Sequence, residues 1–231
     1  TGTTVAQLRQ AANGAHGLGN VQRRTGAGLV CGGCSSRLSL VLEQKPDGRL
    51  CRIQRRDLVP GCLEVALIRI DQAPLPPWRL GQHVLVEAML EGRWVGRAYT
   101  LIDGDQDRFT IAVKQLRGGV FSNWLAAATR WDLVRVSSPL GAVTPDPEDP
   151  RPLLYVVAGI GVTPALAALR QRPIRRRLVI AYAYRGESSA AGLDALREAA
   201  ALGVIELVTH DSESNGRLDP QQWIERLQVW L

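Results

Sequence analysis

Leu153-Leu154-Tyr155-Val156-Val157-Ala158-Gly159-Ile160-Gly161-Val162-Thr163-Pro164 is an apolar run closed by a glycine turn and a proline, and residues Ala165 to Gln171 behind it read as helix. Six apolar residues without alternation suit a strand covered on both faces, as in a parallel sheet. Glycine at 159 and 161 permits a tight turn and close approach of backbone to a ligand, while Pro164 suits the first turn of a helix. Strand, glycine turn and helix together open a nucleotide-binding unit, with Pro164 standing where the G-x-G-x-x-G fingerprint has its third glycine. Downstream, Leu178–Tyr184 reads as a second buried strand, Leu193–Ala201 as a second helix and Val204–Val208 as a third strand. The order β, α, β, α, β predicts an α/β parallel-sheet domain.

Upstream the texture changes. Pro145-Asp146-Pro147-Glu148-Asp149-Pro150-Arg151-Pro152 is stiff and polar, the best domain boundary in the chain. Before it, short strands are expected at Leu50–Gln54, Leu63–Ile70, His83–Leu90, Arg93–Ile102, Arg108–Leu116 and Asp132–Ser137. Pro60-Gly61, Glu91-Gly92 and Asp103-Gly104-Asp105 supply turns between them. Strands of this length and spacing predict a small antiparallel β-barrel, with Trp78 of the proline-rich segment 73–78 plugging one end.

Two stretches on that barrel carry chemistry. In Arg97-Ala98-Tyr99-Thr100-Leu101 alternate side chains share a face, so Arg97, Tyr99 and Leu101 project one way and Thr100 the other. A guanidinium for a diphosphate, a phenol for a ring face and a hydroxyl for a polar ring edge suit a flat phosphorylated cofactor. The second stretch, Gly118-Gly119-Val120-Phe121-Ser122, feeds a short helix whose free first-turn amides could receive an anion; an ordinary helix capped by Ser122 is the plain alternative. Arg185, following a strand, could meet an extra phosphate or simply be solvated. His16, His83 and His210 are scattered singly and read as structural, and Glu64, Glu87 and Asp211 form no acid/base pair.

At the N-terminal end, Thr3–Ala12 has helical spacing and Asn13-Gly14 stops it. A glycine-rich loop then leads to Cys31-Gly32-Gly33-Cys34, two soft thiolates between glycines, which ask for a soft metal. Cys51 and Cys62 fall in strand-like segments and are poor candidates to complete a four-ligand set. The net charge of +6 suits phosphorylated cofactors or an acidic redox partner; no interleaved aromatic and basic stripe points to nucleic acid. No apolar run approaches the ~20 residues of a membrane-spanning helix and no leader is evident, so a soluble, cytoplasmic protein is expected.

The barrel motif, the glycine turn and the nucleotide unit, in this order, resemble the ferredoxin reductase family over residues ~50–231. The resemblance implies FAD bound by Arg97, Tyr99, Thr100, Leu101, Gly118, Gly119, Val120 and Ser122. Arg97 would lie on the diphosphate, Tyr99 on the isoalloxazine and Thr100 near its reactive edge. Gly159, Gly161, Thr163 and Pro164 would receive NAD(P)H. Thr25-Gly26-Ala27-Gly28 with Cys31 and Cys34 looks like the second half of the helical [2Fe-2S] domain of bacterioferritin-associated ferredoxin. That family's other ligand pair, a Cys-x-Cys, would fall before Thr1, and the reductase family's Cys-Gly-Pro stretch would fall after Leu231. The sequence is therefore expected to be a piece of a longer polypeptide. The implied organisation is a [2Fe-2S] unit over 1–43, a linker over 44–49, a FAD-binding barrel over 50–144, a linker over 145–152 and a NAD(P)-binding domain over 153–231. The implied activity is electron transfer from NAD(P)H through FAD and a [2Fe-2S] cluster to a redox partner. The cluster-plus-reductase order is similar to the electron-input end of assimilatory nitrate reductases, where it serves a molybdenum centre. Oxygenase, ferric or ferredoxin acceptors use the same core. A basic binding module holding zinc, with no enzymatic activity, is the rival from another class.

Overall fold

The computed structural model describes residues 7, 10, 11, 18–25, 48–141, 145–146, 148–171 and 176–228. Cys31 and Cys34, with most of the expected 1–43 unit, lie outside these residues. Gln7, Gln10 and Ala11 are helical as their spacing predicts. Helix α1 (Leu18–Thr25) extends into what reads from sequence as loop: Val21-Gln22-Arg23-Arg24 holds no glycine, Val21 is fully buried, and the Thr25 hydroxyl donates to Val21 O at 2.7 Å.

The barrel is built from β1 (Gly48–Val59), β2 (Cys62–Arg69), β3 (His83–Leu90), β4 (Arg93–Gly104), β5 (Arg108–Lys114) and β6 (Leu133–Ser137). They close in the order β1-β2-β5-β4-β3-β6, all antiparallel. The first strand begins two residues inside the expected linker, because Gly48 and Arg49 pair with Ser137 and Val136 and so close the barrel. Gly48 suits this position, since a Cβ there would stand 2.6 Å from Cγ of Arg135. Gly104 belongs to β4 and not to the following turn, where Asp105 instead accepts from the amides of Asp107 and Arg108. Trp78 packs against the barrel core and donates through Nε1 to Gly104 O at 3.1 Å, as expected of a plug. Inward residues such as Ile53, Val65, Leu67, Val86, Phe109 and Ile111 fill the interior at 0–1% exposure. Each contributes on the order of 1.5–3 kcal/mol by leaving water.

Helix α2 (Val120–Ala127) lies between β5 and β6 in sequence. Behind the linker come β7 (Leu153–Ala158), a 3₁₀ turn over Gly159–Val162, α3 (Thr163–Arg170), β8 (Leu178–Tyr184), α4 (Leu193–Ala201), β9 (Glu206–Asp211) and α5 (Pro220–Leu227). The three strands are parallel in the order β7-β8-β9. β9 is displaced from the expected 204–208 because its polar end, Thr209, His210 and Asp211, pairs in register with Tyr182, Ala183 and Tyr184. β7 is apolar as expected but not covered on both faces: it is an edge strand among the described residues, and Val156 is 60% exposed. Asp219 caps α5 by accepting from Gln221 N at 2.9 Å, with Pro220 in the first turn. Gln228 prolongs this helical end. Residues 229–231 lie outside the description.

The barrel and the parallel sheet share one core. Cys62, Ile102 and Ala112 on the barrel's outer wall pack with Val162, Ala165 and Leu166 of the nucleotide unit. Helix α3 thereby rests directly on β4.

Candidate functional site

Strand β4 divides its side chains as alternation demands. Tyr99 and Leu101 pack with the barrel core, while Ile102 faces the nucleotide unit and Thr100 lines the cleft beside it. The Tyr99 ring stands 6.3 Å from that of Phe121 with 26° between their planes, and Phe121 continues to Trp124 at 5.7 Å. The two barrel motifs read from sequence are thus brought together, β4 and α2 meeting through this aromatic line. Burial pushes the Tyr99 hydroxyl up to about 12 against the pull of Arg97, so the phenol stays neutral and can donate a hydrogen bond. Arg97 is exposed, and its Nη1 donates to Gly96 O at 2.7 Å. A guanidinium this exposed is able to pair with a phosphate.

β4 also changes partners along its length. Arg93–Thr100 pairs with β3, whereas the register with β5 starts only at Leu101. Leu101 N donates to Gln82 O, so by the antiparallel alternation the backbone of Ala98 turns away from β3. It meets no β5 partner there, which leaves a backbone donor and acceptor for a planar ligand.

Gly118 has φ +73°, a conformation that favours glycine, and Gly119 stands at the head of α2. A Cβ on Gly119 would sit 2.5 Å from Ser122 Oγ. Ser122 does not cap the helix; its buried hydroxyl accepts from Leu116 N at 3.2 Å and so fixes the turn from within. Val120 is 65% exposed at the helix start. What the turn offers a ligand is therefore the first-turn amides of α2, with no acidic residue among them.

A cleft of about 810 Å³ runs between the two units. Ala98, Thr100 and His83 line its barrel wall, and Tyr155, Gly161 and Pro164 its nucleotide wall. Gly159, at φ +50°, and Gly161 have no atom within 4 Å of where a Cβ would stand, so the turn is open to a ligand's approach. Thr163 is buried at the first residue of α3 and Pro164 follows in its first turn. Spacing alone did not bring His83 or Tyr155 into the site. His83 faces Thr100 across the β3–β4 ladder, is 7% exposed, and its Nε2 has no hydrogen-bond partner among the described residues. Burial lowers its pKa, so it is neutral. The Tyr155 hydroxyl is likewise without a partner among the described residues. His210 bonds to Gly216 O at 3.0 Å, away from the cleft, and Asp211 holds the amides of Gly186 and Glu213.

Cys51 and Cys62 are free, buried and on opposite faces of the barrel wall, one in each core. Burial pushes the Cys51 thiol up to about 12 and raises that of Cys62, so neither is poised to ligate metal. Among the described residues no three His, Cys, Asp or Glu side chains converge on a metal site, and no helix is long and apolar enough to cross a membrane.

The structure thus sets an antiparallel barrel against a parallel-sheet unit with a glycine turn, across one cleft. Residues 74–144 match the oxidoreductase FAD-binding domain family. It is 29% identical over 161 residues to an NADPH oxidoreductase of Mycobacterium tuberculosis, covering 65% of this chain and 42% of that protein. It is 36% identical over 118 residues to ferredoxin–NADP reductase B of Sorangium cellulosum, covering 50% of this chain and 48% of that protein. The chain thus spans less than half the length of these relatives. Among solved structures it is similar to phthalate dioxygenase reductase, described as modular for electron transfer from pyridine nucleotides to [2Fe-2S]. The TM-score is 0.63 at 26% identity, over 79% of this chain and 56% of that one.

Proposed function

We propose that this chain is the reductase portion of an electron-transfer flavoprotein that takes hydride from NAD(P)H onto FAD and passes electrons singly, through a [2Fe-2S] cluster, to a partner redox enzyme. The observation that carries the reading is the single cleft lined by Thr100 on one wall and by Gly161 and Pro164 on the other. Hydride transfer needs two rings held in contact and no general base, and that is what two facing walls can supply. When bound, FAD supplies the conversion between two-electron uptake and one-electron release. The open backbone of Ala98, the neutral Tyr99 phenol and the Thr100 hydroxyl fit the edge and face of its ring, and Arg97 with the first-turn amides of α2 fits its diphosphate. Gly159 and Gly161 let the nicotinamide nucleotide approach the backbone, with the start of α3 favouring its phosphates. Leu101 anchors the strand end from inside the barrel at 0% exposure. Cys31 and Cys34 would supply two thiolates for the cluster.

The acceptor favoured by the N-terminal cysteine loop is a molybdenum assimilatory nitrate reductase. Similarity to phthalate dioxygenase reductase favours an oxygenase as the second reading. An absorption spectrum of the full chain, with FAD added, tests the core of the proposal. Flavin bands that bleach anaerobically with NADH or NADPH are expected, and a protein that binds no flavin refutes it. Nitrate reduction on mixing the reduced protein with a molybdenum nitrate reductase would support that acceptor. Reduction of artificial acceptors alone would refute it.

A further inference from the structure

Glu64 projects from the outer face of β2 and is 11% exposed at its side chain, directly across the ladder from Ala112 of the shared core. Two guanidinium groups meet its carboxylate. Arg56, its cross-strand partner on β1, donates to Oε1 at 2.6 Å, and Arg170, the last residue of α3, donates to Oε2 at 2.5 Å. The first bond lies within the barrel; the second joins the barrel to the nucleotide unit. The other end of the same eight-residue helix carries Thr163 and Pro164. Whatever fixes the C-terminal end of α3 therefore fixes where the glycine turn stands relative to Thr100.

Beside the Glu64–Arg170 bond the junction has an apolar core: Cys62, Ile102 and Ala112 against Val162, Ala165 and Leu166. Apolar contact holds surfaces together but is non-directional and tolerates sliding. A charge-assisted hydrogen bond at the rim supplies the missing direction. We propose that Glu64 and Arg170 are positioning residues that set the register of the nicotinamide turn against the flavin strand, an inference that rests on the proposed reductase function. Neither side chain lines the cleft, so their effect is exerted through the placement of α3.

The full-length protein tests this through Arg170→Met and Glu64→Gln, which keep side-chain bulk, with Arg56→Met as the control that removes only the bond internal to the barrel. Arg170→Met and Glu64→Gln should each slow anaerobic flavin bleaching by saturating NADH or NADPH about 10–100-fold, the loss expected of an ångström-scale misplacement. Arg56→Met should stay within about twofold of the wild type by the same reasoning, and flavin reduction by dithionite should be equal in all four proteins. Hydrogen exchange of the α3 amides should rise in Arg170→Met and not in Arg56→Met. Equal bleaching rates in Arg170→Met and wild type, or equal slowing in Arg56→Met, overturn the inference while leaving the reductase reading intact. If the wild type itself does not bleach, the reductase reading fails and so does this role; unchanged α3 exchange then removes the clasp as well.

Discussion

Phe121 joins the two halves of the proposed flavin site, so its truncation should damage stability and cofactor affinity together. Its ring is 1% exposed and lies between Tyr99 and Trp124 at centroid distances of 6.3 and 5.7 Å. Phe121→Ala removes a fully buried ring from the barrel core, a change that costs about 3–5 kcal/mol. Phe121→Leu keeps an apolar filler but forfeits both ring contacts, each contributing about 0.5–1.5 kcal/mol, so about 1–3 kcal/mol is expected. With a urea m-value of about 1–3 kcal/mol/M, the alanine variant's midpoint should fall by about 1 M or more even if m lies at the upper end. Tryptophan fluorescence reports the transition, because Trp124 is in direct contact with the deleted ring. In Phe121→Leu, which should still fold, α2 loses its seat against Tyr99, and FAD affinity should fall by about tenfold for each 1.4 kcal/mol of lost placement. The reasoning is refuted if Phe121→Ala costs less than about 1 kcal/mol, or if Phe121→Leu binds FAD as tightly as the parent protein.

Arg97→Ala should weaken FAD binding by about 1.5–3 kcal/mol, the range for hydrogen bonds to charged groups, with little change in urea midpoint, since Arg97 is exposed; flavin titration of the apoprotein measures it. Gly192 has φ +72°, and a Cβ there would stand 2.5 Å from a methyl of Leu166 on α3. Gly192→Ala should therefore destabilise by more than the ~1–2 kcal/mol of the backbone penalty alone, read by thermal unfolding. For Glu64, burial pushes the carboxyl up, but the hydrogen bonds from Arg170 and then Arg56 outweigh it and hold the pKa below the ordinary value. A depressed folded pKa gives stability that is complete above the unfolded value of about 4.3 and is lost as pH falls through the folded value. Wild type should therefore lose stability below about pH 4 more steeply than Glu64→Gln; parallel acid limbs in the two proteins would contradict this.

Local pattern made much of the fold legible. β3 was readable to the residue because the turn at Glu91-Gly92 fixes its end and apolar residues fill its length. β4 ran two residues further than expected, since Gly104 still pairs with Phe109. The closing order of the barrel was not legible, because it depends on Gly48 and Arg49 reaching β6 about ninety residues later, which no window of sequence displays. β7 had the composition of a covered strand, yet coverage is decided by which strands flank it. Helix α5 carries its start signal in Asp219-Pro220, a cap followed by a first-turn proline. Of the candidate site, the local motifs on β4 and at the head of α2 can be read from sequence, but not that Tyr99 and Phe121 bring them together. His83 reads as a solitary histidine until the β3–β4 register sets it opposite Thr100.

The change of partners along β4 has a thermodynamic side. A strand whose backbone at Ala98 meets no β5 neighbour is locally one ladder short, and a planar ligand bonded there would complete the sheet as a further strand does. Such a ligand binds only the folded chain, so its binding energy becomes folding energy: about 2.7 kcal/mol at a concentration one hundred times its Kd. Flavin content and thermal stability should therefore rise and fall together, and preparations differing only in cofactor loading should unfold at different temperatures.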